Sequence, residues 1–332
     1  MIKERNYSID ILRLICSFMV ISLHFPFQGF WGDVFKNISR AAVPIFFIIS
    51  GYYGFDRNKE KYRAKLLKRI KHLAMICIGS VIFYFIYNII YIYISGESVN
   101  NFILQYKNIK NVLYLILLNK SILCTPLWFL YALLYVTIFM YILSKYKIIN
   151  KVQIFIPLLL AANLIFGCYS KFIMGKVFLP EIVRNWVLTG MPYYLIGIYI
   201  NSKNIKNEKY ISNILLISII LVLCVSTVLE TMVLTKFNKI SYFENFVSTI
   251  FLSVFVMIFA IQNPGKNSLI SKLGRECAVY IYILQMAIGG VLKVLYPSCT
   301  ISTILIFVIG ILISIIYIKI KSITLKLRRE KK

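Results

Sequence analysis

The chain is predicted to be all-α, a polytopic membrane bundle of about ten transmembrane helices with both termini cytoplasmic. Three observations carry this expectation. Apolar residues fill 60% of the 332 positions and charged ones only 15%, outside the range of an ordinary soluble domain. Apolar runs recur from end to end, many close to the roughly 20 residues a helix needs to cross the hydrocarbon core. The Lys and Arg residues are also unevenly spread: 25 of the 38 fall on segments assigned to one side of the membrane and 10 on the other, with Arg13, Lys293 and Lys319 inside spans. By the positive-inside rule the richer side is the cytoplasm.

Taken in order, apolar windows place spans at about 9 to 28, 41 to 55, 73 to 95, 126 to 144, 152 to 169, 185 to 201, 210 to 234, 244 to 262, 277 to 296 and 300 to 320. The first follows a short basic start, but it carries ionisable residues, lacks a small-residue cleavage site and leads into another span, so it is expected to be retained rather than removed as a signal peptide. Ahead of the third span, DRNKEKYRAKLLKRIKHL is a basic amphipathic stretch expected at the inner headgroup level. The longest outside connection, 96 to 125, contains NVLYLILLNK, too short to cross and read as re-entrant or interfacial. The end, LKLRREKK, reads as a basic cytoplasmic tail, and one membrane domain is expected to fill 1–332.

The net charge of +26 resides largely in short segments between spans, so anionic lipid headgroups, not nucleic acid, are the expected partner of this charge. The seven cysteines, among them Cys16, Cys77 and Cys299, show no CxxC spacing and read as small buried hydrophobes. Two histidines, His24 and His72, cannot assemble a conventional metal site. Neither a metal nor a permanently bound cofactor is expected.

Candidate chemistry begins in the first span, IDILRLICSFMVISLHF, which holds Asp10, Arg13 and His24. Ionisable groups at membrane depth cost about 2.5–3.5 kcal/mol each and usually serve function. Arg13 and His24 are eleven residues apart, so at about 100° per residue they lie within roughly 20° of one another. Ser17 and Asp10 fall near the same stripe. His24, in the outer half, could act as a general base toward a hydroxyl; the plain alternative is an interhelical hydrogen bond. Arg13 and Asp10 could simply pair with each other.

Elsewhere each candidate also has two readings. Ser50, in PIFFIISGYY, could position a substrate or, with Gly51, allow close helix packing. Lys68, Arg69, Lys71 and His72 could clamp a phosphate-bearing donor or serve as ordinary inside anchors. Trp128 is an aromatic-belt residue by default. Glu230, Glu181, Arg184 and Trp186, near outer ends, could line a sugar site or be solvated ends, and Gln285, near mid-membrane, reads as a structural hydrogen-bonding group.

Together these segments resemble acyltransferase family 3, the bacterial membrane acyltransferases that modify surface polysaccharides and other extracytoplasmic acceptors. The resemblance spans essentially the whole chain. It rests on RNYSIDILRLICSFMVISLH, similar to the family's Arg, ten residues, His pattern, and on PIFFIISGYY, similar to its Phe-Phe-x-x-Ser-Gly motif. KRIKHL, PLWFLYALL, YYLIGIYI and GRECAVYIYILQM add weaker matches. The chain departs from the pattern at His72, where a second arginine would stand, and at Gln285, where a late motif carries histidine.

The resemblance implies ten spans, a cytoplasmic acyl-CoA co-substrate (usually acetyl-CoA) and transfer to a hydroxyl outside. It implies His24 as the catalytic histidine and Arg13 as its motif partner; the polar track of the first span adds Asp10 to the catalytic candidates. Of the donor-side motif the resemblance matches Arg69; on the residues' own reading Lys68, Arg69 and His72 are the donor-binding candidates and Ser50, Trp128 and Glu230 the substrate-binding ones. Donors near Arg13 would stabilise the oxyanion. A second similar group is the membrane half of the membrane-bound serine racemases, in which this domain is thought to move an amino acid. Without a racemase domain following, the acyltransferase is the expected activity, with a cell-surface polysaccharide as acceptor. A small-solute transporter and an inactive scaffold of a surface-polymer system are the competing classes.

Overall fold

The computed structural model of the chain describes residues 5–96, 98–146, 148–203, 211–237, 245–296 and 302–330. Cys299 lies outside them. In chain order the helices are α1 (Tyr7–His24), α2 (Gly29–Ser39), α3 (Ala42–Gly54), α4 (Lys59–Ile94), α5 (Val99–Lys107), α6 (Ile109–Leu118), α7 (Trp128–Leu143), α8 (Ile149–Val152), α9 (Ile156–Phe166), α10 (Ser170–Met174), α11 (Met191–Ser202), α12 (Asn213–Lys236), α13 (Val247–Gln262), α14 (Leu269–Leu295) and α15 (Thr303–Glu330). No strand occurs among the described residues.

Each of the ten expected spans corresponds to a helix. Seven helical segments are long and apolar enough to cross a membrane, and α6, α9 (with the turn preceding it) and α13 are shorter apolar helices. This is a polytopic helical membrane protein. Large apolar side chains such as Ile78, Val222 and Ile316 stay exposed, the surface that lipid covers in place of a protein core.

Two features differ from the expected outline. Residues 29–39, read as a connection, form α2, because Phe35 packs at 5.8 Å from Phe18 of α1 and the Ser22 hydroxyl meets that of Ser39 at 3.0 Å. The basic stretch before the third span is no separate segment: α4 runs unbroken for 36 residues from an Asn58 cap, whose side chain accepts from the Lys61 amide. The connection 96 to 125 holds α5 and α6, not a spanning helix.

The described residues group into two compact units, one formed by residues up to Ala42 and from Val256 onward, the other by Val43–Phe255. In the first, α1 packs along α14, and α15 lies against both. α1 and α14 run parallel: a Cβ on Gly274 would meet the Asp10 carbonyl and one on Gly289 the Phe25 ring, and both pairs are fifteen residues apart along their own helices. α15 returns antiparallel, with Thr303 bonding the Phe25 carbonyl and Phe307 edge-on to Phe18 at 5.1 Å. Leu14, Ile21, Cys277, Ile281, Ile288 and Ile306 form the apolar seam.

In the second unit, α4 packs on α7, while α7, α9 and α11 surround a π-helical turn at Trp186–Gly190. α3 and α11 touch backbone to backbone: a Cβ on Gly51 would lie 2.0 Å from the Tyr194 carbonyl, and one on Gly197 2.1 Å from the Ile48 carbonyl. Ser50-Gly51 is thus a helix-crossing point, as small residues at membrane helix interfaces commonly are.

Candidate functional site

The N-terminus of α1 is built to hold a charge. Asn6 caps it by accepting from the Ile9 amide at 3.1 Å, while its own amide donates to the Ala260 carbonyl at 2.8 Å. The Pro264 carbonyl accepts from the Tyr7 and Ser8 amides. One turn on, Asp10 is 1% exposed. Its two oxygens accept separately from Arg5 Nε at 2.7 Å and Arg13 at 2.9 Å. A buried carboxylate is tolerable when its lone pairs are used in this way.

Asp10 and Arg13 are thus brought together as a pair, and His24 is not. It is the last residue of the same unbroken helix and is exposed. At about 1.5 Å per residue it lies roughly 16 Å from Arg13 along the axis. The Arg13 guanidinium is thus engaged with Asp10 and stands well apart from His24 along α1. Gln285 of α14 is 0% exposed with both amide atoms unpartnered, and the parallel register sets it near the level of Ile21, between Arg13 and His24.

The donor-site candidates divide within the second unit. Lys68 and His72 are exposed, whereas Arg69 turns inward and donates to the Ser50 carbonyl. Ser50 acts there through its backbone. At the same end Arg57 donates to the Ser202 carbonyl at 2.9 Å, Arg63 lies over the Tyr141 ring, and the Lys65 ammonium bonded to Asp56 holds that carboxyl below its ordinary range.

At the opposite ends of these helices, Asn119 does what the sequence did not disclose. It is 0% exposed in a left-handed conformation, φ 48°. Its amide donates to the Trp128 and Arg184 carbonyls and its oxygen accepts from the Trp186 amide at 2.9 Å. Trp128 and Trp186 are thereby tied to one node. Asn185 caps the π-helical turn through the Val187 and Leu188 amides, and Asn163 links Thr189 to Asn245. Burial would raise the Glu181 carboxyl, but the Lys120 ammonium at 2.7 Å, with Arg184, holds it below the ordinary range. Glu230 spends its carboxylate on the N-terminus of α13, accepting from the Val247 and Ser248 amides at 3.0 and 3.1 Å, the placement favoured by the helix dipole. No metal-binding group of His, Cys, Asp or Glu occurs among the described residues.

Ionisable and polar side chains buried this deep mark a helical membrane protein that handles polar groups rather than merely spanning the bilayer. The chain belongs to the family described as an acyltransferase domain, whose model matches residues 6–319; it is a multi-pass membrane acyltransferase. Parts of it are similar to two curated proteins. A stretch of 92 residues is 34% identical to an amino-acid racemase of Enterococcus faecalis, covering 25% of this chain and 13% of that protein. Another of 56 residues is 43% identical to a serine/alanine racemase of Enterococcus gallinarum, covering 15% and 8%. The chain thus matches only a small part of those relatives' length. No solved structure matches.

Proposed function

We propose that this acyltransferase takes an acyl group, acetyl being the expected one, from a cytoplasmic acyl-CoA and places it on a hydroxyl of an extracytoplasmic carbohydrate of the cell surface. The observation that carries the reading is the single helix α1, which pairs a buried Asp10 with a half-buried Arg13 at one end and ends on His24, within a chain matched by the family over 6–319. His24 accepts the acceptor's hydroxyl proton as that oxygen attacks the thioester carbonyl. The tetrahedral adduct then collapses, the C–S bond breaks, and the thiolate takes the proton from the imidazolium. Asp10 and Arg13 are positioning residues that fix the end of α1. Arg69 meets the donor, and Lys68 and His72 add long-range attraction for its phosphates.

His24→Ala tests this directly: transfer is lost while the amount and melting behaviour of the protein persist. A variant that still acylates the acceptor removes His24 from the mechanism. A second reading, passage of a small amino acid such as serine, draws on the similarity to the two racemases. It predicts solute flux through proteoliposomes with no covalent product.

A further inference from the structure

At one end of the second unit, α3, α4, α7 and α11 bring together polar groups that their packing leaves short of partners. Tyr62 of α4 and Tyr194 of α11 are 2% and 0% exposed; the Tyr62 hydroxyl has no hydrogen-bond partner, and that of Tyr194 has none of ordinary geometry but lies against Arg69 and Thr137. A buried polar group without a partner costs about 1–3 kcal/mol. Both hydroxyls sit around one cation. Tyr62 precedes Arg69 by two helical turns on the same face of α4, and its hydroxyl feels the charge of Arg69 and the hydroxyl of Tyr194.

Tyr194 Oη and a guanidinium nitrogen of Arg69 would each stand 2.6 Å from a Cβ on Gly54, so the missing side chain is what lets them lie side by side. The Ser50 carbonyl takes one of the five N–H donors of Arg69 and fixes the plane of the group. Thr137, also beside Tyr194, turns its proton to the Leu133 carbonyl at 2.6 Å. Among the described residues no carboxylate pairs with Arg69.

A half-buried positive charge beside two buried hydroxyls, with no carboxylate to pair it, matches a singly charged phosphoryl group: one cation neutralises it, and three donor groups serve its oxygens. A neutral carbonyl would leave the arginine uncompensated. We propose that Arg69, Tyr62 and Tyr194 bind one phosphoryl group of a nucleotide-linked thioester donor. This rests on the donor reading above and adds two residues to it.

The test is calorimetric titration of the purified full-length protein with coenzyme A and, separately, with pantetheine, which has no phosphoryl group. Tyr62→Phe and Tyr194→Phe each remove one oxygen and keep the ring, so packing survives. Each is expected to weaken coenzyme A binding about tenfold or more, leave pantetheine binding unchanged, and not lower the melting temperature of the ligand-free protein. If the wild type binds coenzyme A and both variants bind it equally well, the tyrosine assignment falls while the donor reading stands. If the wild type does not bind it at all, the donor reading falls and takes this site with it. A ligand-free melting temperature lowered by several degrees means the hydroxyls already have structural partners, and overturns the proposal. Loss of co-purifying phosphatidylglycerol with coenzyme A binding unchanged assigns the site to a lipid headgroup and overturns it equally.

Discussion

Replacing Gly274 by alanine pushes a methyl group into the backbone of α1. The added Cβ would stand 1.9 Å from the Asp10 carbonyl oxygen, 2.8 Å from its carbon and 3.2 Å from the Leu14 Cβ. An ordinary contact begins at 3.4 Å, so the two helices must part by about 1.5 Å, and neither backbone can rotate out of the way. Overpacking of this kind costs about 1–3 kcal/mol, and backbone against methyl belongs at the upper end. The separation also moves the helix that carries His24, and a displacement near 1 Å can cost about a hundredfold in rate. Gly310 supplies the control, because its Cβ would meet nothing nearer than an Ile281 methyl at 3.6 Å. Melting of the detergent-purified protein, followed by size-exclusion recovery, should fall by several degrees for Gly274→Ala and hold or rise slightly for Gly310→Ala. Acyl transfer should follow the same order. Equal melting of the two variants would refute the close parallel packing of α1 on α14.

Asn119→Gly keeps the left-handed backbone available while deleting three hydrogen bonds, so it should lower stability by about 2–3 kcal/mol, read as a melting shift; Asn119→Ala should fall further, having the strained φ as well. Gly54→Ala should weaken coenzyme A binding in a titration, because its methyl displaces Arg69 and Tyr194 together. Glu181 has a folded-state pKa below its unfolded value, so its contribution is present above the ordinary carboxylate range and is lost as pH falls through the depressed value. The melting difference between wild type and Glu181→Gln should therefore shrink on acidification, and a constant difference would deny the Lys120 pairing.

The helical bundle was legible because lipid leaves the chain few options: each expected span falls on a helix, although among the described residues only seven helical segments are long and apolar enough to cross a membrane. The Asp10–Arg13 pair was legible too, since residues three apart share a helix face. Helix α2 was not, because a short amphipathic helix satisfied by Phe18 and Ser22 carries no signal of spanning length. Tyr62 and Tyr194 escaped notice because a tyrosine in an apolar run reads as core, and only three-dimensional packing reveals a hydroxyl left unpartnered beside Arg69. Asn119 was hidden for a related reason: its three bonds join residues 9 to 67 positions away.

The central claim is that a histidine at the end of α1 performs acyl transfer. Purified protein in liposomes, given radiolabelled acetyl-CoA and cell-envelope polysaccharide, tests it with wild type beside His24→Ala. Label reaching the polysaccharide with the wild type and not with the variant is the expected result; label transferred equally by both would contradict it.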